Sequence, residues 1–113
     1  MTKFVNLTPH AVNLLLSDRE IVIPPFGTLA RCSVDRQVVG SVEFEGALVP
    51  LIRTVLGDLV GLPTPEEGTI YIVSLQAAQC AAREGRSADI VIPDDAVRDS
   101  SGRIVGCRAL ACQ

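Results

Sequence analysis

Short β-branched and apolar runs alternate with turn chemistry along most of the chain, and a single stretch has helical character. Residues 4–6 begin a strand, the Thr8-Pro9 step turns the chain, and residues 11–16 form a second run closed by Ser17-Asp18-Arg19. Residues 20–23 are β-prone and stop at Pro24-Pro25, because proline lacks the N–H that a strand ladder needs. Gly27 restarts the pattern. Residues 28–34, 38–44 and 47–55 predict three more extended stretches, broken at Gly40, Glu45-Gly46 and Gly57, with Pro50 marking an edge or a bulge.

The segment Gly61-Leu62-Pro63-Thr64-Pro65-Glu66-Glu67-Gly68 is a loop, and residues 69–73 after it are the most β-prone in the chain, which predicts a central strand. Ser74 then caps a helix over residues 75–84, rich in Ala, Gln and Leu, with Gly85 where a left-handed terminal residue is wanted. The alanines 77, 78, 81 and 82 leave it thin enough to lie close to a sheet or to a second copy of itself. Residues 89–93 return to strand, and residues 97–99 and 103–111, flanking Ser100-Ser101-Gly102, form a closing hairpin. The sum is a single domain over residues 1–113 of the α+β class, mainly antiparallel, with about eight short strands and one helix. So many strands on so small a domain leave edges to cover, which predicts a homo-oligomer.

At 113 residues the chain buries roughly two thirds of its unfolded surface, enough for a core without metal or disulfide staples. Ten Lys and Arg against thirteen Asp and Glu give a net charge of -3, which argues against a nucleic-acid polymer as partner. No secretory signal and no apolar run near the ~20 residues of a membrane span is visible, so a cytoplasmic protein with no membrane partner is expected. The four cysteines, 32, 80, 107 and 112, lack the tight pairs of a zinc site and read as small buried hydrophobes. Neither a metal nor a cofactor is expected.

Catalytic signatures are sparse. There is no phosphate-cradling G-x-x-x-x-G-K-[ST] and no G-x-G-x-x-G, and Lys3 is the only lysine. The lone histidine, His10, follows a proline at a turn, where its ring can close the turn by hydrogen bonds, contact a ligand or act as a general base. Nine of the ten cations are arginine, five of them between Arg83 and Arg108, and guanidinium grips carboxylate or phosphate through a planar fork that ammonium lacks. Two constellations stand out: Arg86-Ser87-Ala88-Asp89 after the helix, and Arg98-Asp99-Ser100-Ser101-Gly102-Arg103 across the hairpin. In the second, Asp99 and Gly102 are ordinary turn chemistry, while an arginine on each side asks for an anion between them: a ligand phosphate or carboxylate, or one of Asp89, Asp94 and Asp95. Tyr71 is either a sheet tyrosine at the rim of the core or a stacking platform for a purine.

Three stretches carry a resemblance: Val5-Asn6-Leu7-Thr8-Pro9-His10-Ala11-Val12-Asn13-Leu14, then Gly61-Leu62-Pro63 with Gly68-Thr69-Ile70-Tyr71-Ile72-Val73-Ser74, then Val97-Arg98-Asp99 with Gly102-Arg103-Ile104-Val105-Gly106-Cys107. They resemble a family of small phage and prophage proteins. Chains of this size and strand content are also similar to the phage Thoeris anti-defence family, oligomeric sponges that bind cyclic ADP-ribose-type immune signals without cleaving them. What that resemblance implies is a site of one aromatic and several arginines, here Tyr71, Arg86, Asp89, Arg98 and Arg103, holding a small anionic nucleotide in a non-enzymatic homo-oligomer of the infected bacterial cytoplasm. The alternatives are a phage structural or protein-interaction module, whose site is an apolar surface, and a metal-independent hydrolase using His10 with Asp99 or Asp89.

Overall fold

The computed structural model describes residues 2–113, which form eight strands and one helix of the α+β class. A six-stranded sheet has the order β1-β6-β7-β8-β2-β3, from β1 (Lys3–Asn6), β2 (Val12–Leu15), β3 (Glu20–Ile23), β6 (Thr69–Ile72), β7 (Ile90–Arg98) and β8 (Ile104–Cys112). The remaining strands, β4 (Arg31–Phe44) and β5 (Ala47–Val60), pair only with each other. The six-stranded sheet curls on itself. Pro25 bridges to Asn6, and the Phe26 amide donates to the Asn6 carbonyl at 2.8 Å, so the chain beyond β3 meets the end of β1.

Strand number and class agree with the sequence pattern, whereas the pairing is mixed. β7 with β8, β2 with β3 and β4 with β5 are antiparallel, but β1 with β6, β6 with β7 and β2 with β8 are parallel. A parallel neighbour requires a crossover. Between β6 and β7 that crossover is α1 (Leu75–Arg83).

The helix begins and ends as its sequence dictates. Ser74 has extended backbone and its Oγ accepts from the Ala77 amide at 3.3 Å. At the other end Gly85, at φ +84°, donates to the Ala82 carbonyl and Arg86 donates to that of Ala81, the paired bonds that close a helix on a left-handed glycine. The buried stripe Ala77, Ala78, Cys80 and Ala81 offers almost no bulk, so α1 lies close against Val5, Leu7, Tyr71, Val73 and Ile90. Alternation along β6 sends Ile70 and Ile72 to the opposite face, where they pack with Val12, Leu14, Val91 and Cys107.

The β4–β5 pair extends the molecule. The chain measures 58 × 39 × 22 Å with a radius of gyration of 17.5 Å, against about 13 Å for a compact domain of this length. Among the described residues the ribbon is tied to the rest at its root: Leu59 joins the core beneath α1, and the Arg83 guanidinium donates to the carbonyls of Leu56, at 2.7 Å, and Gly57. The three stretches expected over residues 28–55 are thus two strands of 14 residues each. Glu45-Gly46 is the one true break, a two-residue turn with φ +49° and +80°. Gly40 lies beside a bulge that leaves Val39 as the extra residue, and Gly57 stays in strand where an added Cβ would sit 2.0 Å from Ser33 Oγ. Pro50 is tolerated because each strand of a two-stranded ribbon is an edge.

Candidate functional site

Three of the residues drawn together by the sequence do meet. Arg86 and Asp89 form a two-pronged ion pair, Nε to Oδ1 at 3.2 Å and Nη2 to Oδ2 at 2.9 Å, and the guanidinium lies 5.5 Å from the centre of the Tyr71 ring. The hydrogen bond from Arg86 holds the Asp89 carboxyl below its ordinary range, against the opposing effect of its partial burial. Tyr71 is 3% exposed. Its ring belongs to the core beneath α1, and its hydroxyl donates to the Thr64 carbonyl at 3.2 Å, which ties the 61–68 loop to the sheet. Of the two roles weighed for Tyr71, platform or core, the geometry of the protomer gives the core one. The Arg86 guanidinium lies over the ring.

Arg98 and Arg103 lie elsewhere. β7 starts beside Tyr71, at Ile90, and Arg98 is eight residues further along it, on the order of 25 Å at about 3.3 Å per residue. There Asp99 organises the turn: its carboxylate accepts from the Ser101 amide and hydroxyl at 2.9 and 2.7 Å and from the Arg103 amide at 3.1 Å. Those bonds, the Ser101 hydroxyl's first, lower its pKa. Arg98 folds back onto the Gly102 carbonyl at 2.8 Å. The ion pairs among the described residues are Asp18 with Arg19, Arg86 with Asp89 and Asp95 with Arg108, so neither tip arginine is held by Asp89, Asp94 or Asp95.

Two open clefts mark the surface. The larger, about 550 Å3, runs between the loop after β1 and the outer half of the β7–β8 hairpin; its walls are mostly apolar, with His10, Asn13, Asp94 and Asp95 as the polar groups. None of the five candidate residues lines it. Asp95 sits there with φ +56°, unusual backbone for a strand residue. The smaller, about 370 Å3, lies at the ribbon's root between Leu7, Leu29, Arg31 and Gln76. Among the described residues no three His, Cys, Asp or Glu side chains gather as a metal site would need. No helix is long and apolar enough to cross a membrane.

The opening motif is a brace. Asn6 is 1% exposed, and its amide makes four hydrogen bonds: Nδ2 donates to the His10 and Ile23 carbonyls at 2.9 and 3.0 Å, and Oδ1 accepts from the Thr8 amide and hydroxyl at 3.0 and 2.6 Å. It is therefore the His10 carbonyl that closes the turn; the ring faces the larger cleft. Of the cysteines, Cys80 and Cys107 are buried as expected, Cys32 is half-buried and Cys112 is exposed. Burial, and then the neighbouring Cys32, push the Cys80 thiol up to about 11.

The feature that sequence pattern did not single out is the ribbon surface. Eleven large apolar side chains along β4 and β5, among them Val38, Phe44, Leu48 and Val60, are between 37% and 74% exposed. The segments had been legible as strands. What hid the surface was that strand pattern alone cannot say that nothing packs on either face.

No family model, no curated protein and no solved structure matches the chain.

Proposed function

We propose that this chain is a non-enzymatic interaction module: a small curled sheet that presents a long apolar β-ribbon to a protein partner. The single observation that carries this is the ribbon itself. Fourteen residues per strand are spent on a ribbon whose residues are exposed along almost its whole length beyond the root. A two-stranded ribbon is marginal in water by itself, and a contiguous exposed apolar surface larger than a few hundred Å2 marks an interaction site.

Replacing Val42 and Val49 together by threonine, which keeps strand propensity and shape, tests it. The pair should keep the wild-type circular dichroism spectrum and lose association, followed by sedimentation both in purified form and in extract of the producing cell. Wild-type protein that stays a monomer in both settings overturns the reading.

A second reading is sequestration of a small anionic nucleotide in an oligomer, the anti-defence role that the resemblance implies. It is favoured by Arg98 and Arg103, two guanidinium groups at one exposed tip with no acidic partner, free to meet a phosphate where copies converge. Arg98→Ala and Arg103→Ala should each weaken nucleotide binding about ten- to a hundredfold in a titration, with the ligand recovered intact after heating. An unaltered titration removes this second reading.

A further inference from the structure

Cross-strand partners share a face, so the ribbon's two sides can be told apart. Moving from the tip toward the root, one side carries Phe44 with Ala47, Val42 with Val49 and Gly40 with Leu51 before it reaches Gln37 with Arg53. The other side mixes Glu43 with Leu48, Ser41 with Pro50, Val38 with Ile52 and Arg36 with Thr54. The first side is therefore an unbroken apolar patch, with Phe44, Val42, Val49 and Leu51 between 43% and 66% exposed. Its two ends differ in sign: Arg53 stands at the root end and Glu45 at the tip.

We infer that the occupant of this face is the same face of a second copy, the two ribbons lying antiparallel about a two-fold axis that passes near Val42 and Val49. The inference rests on the interaction reading and names its partner. Charge selects a second copy: a patch with a cation at one end and an anion at the other is self-complementary when reversed, so that Arg53 of each protomer meets Glu45 of its partner, twice per dimer. Sheet faces pack about 10 Å apart, a separation that Arg and Glu side chains at the patch ends can span. The mixed side, whose apolar stretch is interrupted by Glu43 and Ser41, remains toward solvent in this arrangement.

Sedimentation velocity on the purified full chain at micromolar concentration tests this. Wild type should be a dimer. Val42→Thr with Val49→Thr should be a monomer with unchanged circular dichroism, while Ile52→Thr, on the mixed side, should stay a dimer. Within one protomer Glu45 and Arg53 are about 23 Å apart along the ribbon, beyond the ~8–10 Å Debye length, and cannot sense each other. Glu45→Arg and Arg53→Glu should each weaken the dimer about tenfold, and the double exchange should bring the dissociation constant back to within a factor of three of wild type. A wild-type monomer in buffer overturns the inference; if that monomer still associates in extract through Val42 and Val49, the interaction reading stands without it. A dimer indifferent to the threonine pair, or a charge exchange without rescue, also overturns it.

Discussion

Arg83, in the last turn of α1, holds the Gly57 carbonyl at the root of the ribbon, and the same carbonyl accepts from the Cys80 thiol one helical turn earlier at 3.2 Å. Helix and ribbon are joined there by the main chain of β5, at the register shift between the Val34–Leu56 and Cys32–Leu59 pairs, where a Cβ on residue 57 would clash with Ser33 Oγ. The root of the ribbon is thus tied down by a side chain of the crossover helix.

Arg83→Ala should free that root. Losing charge-assisted bonds at an exposed site costs about 1–2 kcal/mol, and the loss should concentrate locally: amide exchange should rise in residues 54–60 while β6 amides keep their protection. Arg83→Lys, a single ammonium in place of a fork, should fall between the two.

Asn6→Ala should be among the most damaging single changes. It removes four hydrogen bonds at a buried position, takes the amide donor from the Ile23 carbonyl and leaves the His10 carbonyl with the Thr8 hydroxyl alone, which costs about 2–4 kcal/mol. A shift of the urea midpoint with an unchanged slope is the expected record.

The Arg86–Asp89 pair makes stability depend on acid. Asp89 has a folded pKa below its unfolded one, near 3.9, so its contribution is complete above about pH 4 and disappears as pH falls through the folded value. Asp89→Asn should lower stability by about 1–2 kcal/mol at pH 6. The gap between wild type and variant should narrow as pH falls below about 4 in urea titrations.

Thiol reactivity should follow burial. At pH 8 Cys112 should react first with Ellman's reagent and Cys32 more slowly. Cys80, buried and with its pKa raised to about 11, and the buried Cys107 should react only at the rate of unfolding.

The helix was legible because its determinants are local: a capping serine, alanine-rich turns and a glycine at the end. The Asp99 turn was legible for the same reason. Parallel neighbours such as β1 and β6 were not, because pairing partners are chosen by the tertiary packing of segments more than sixty residues apart. The ribbon escaped through its glycines. Gly40 and Gly57 look like strand breakers in isolation, yet one adjoins a bulge and the other allows a close approach, and neither role has a local signature. The Arg86–Asp89 spacing was visible, but that its guanidinium covers the Tyr71 ring depends on β6 and β7 lying side by side. Asn6 went unread because a buried amide is recognised only by the carbonyls around it.

The ribbon departs at Ala30 and returns at Gly61, where the two backbones come so near that a Cβ on Gly61 would stand 2.1 Å from the Leu29 carbonyl oxygen. Exit and entry therefore share one doorway. Removing or inserting residues two at a time on both strands changes the reach of the appendage while keeping its sides in phase and leaving the doorway untouched. The curled sheet can thus serve as a fixed handle on which hairpins of different length and lettering are exchanged.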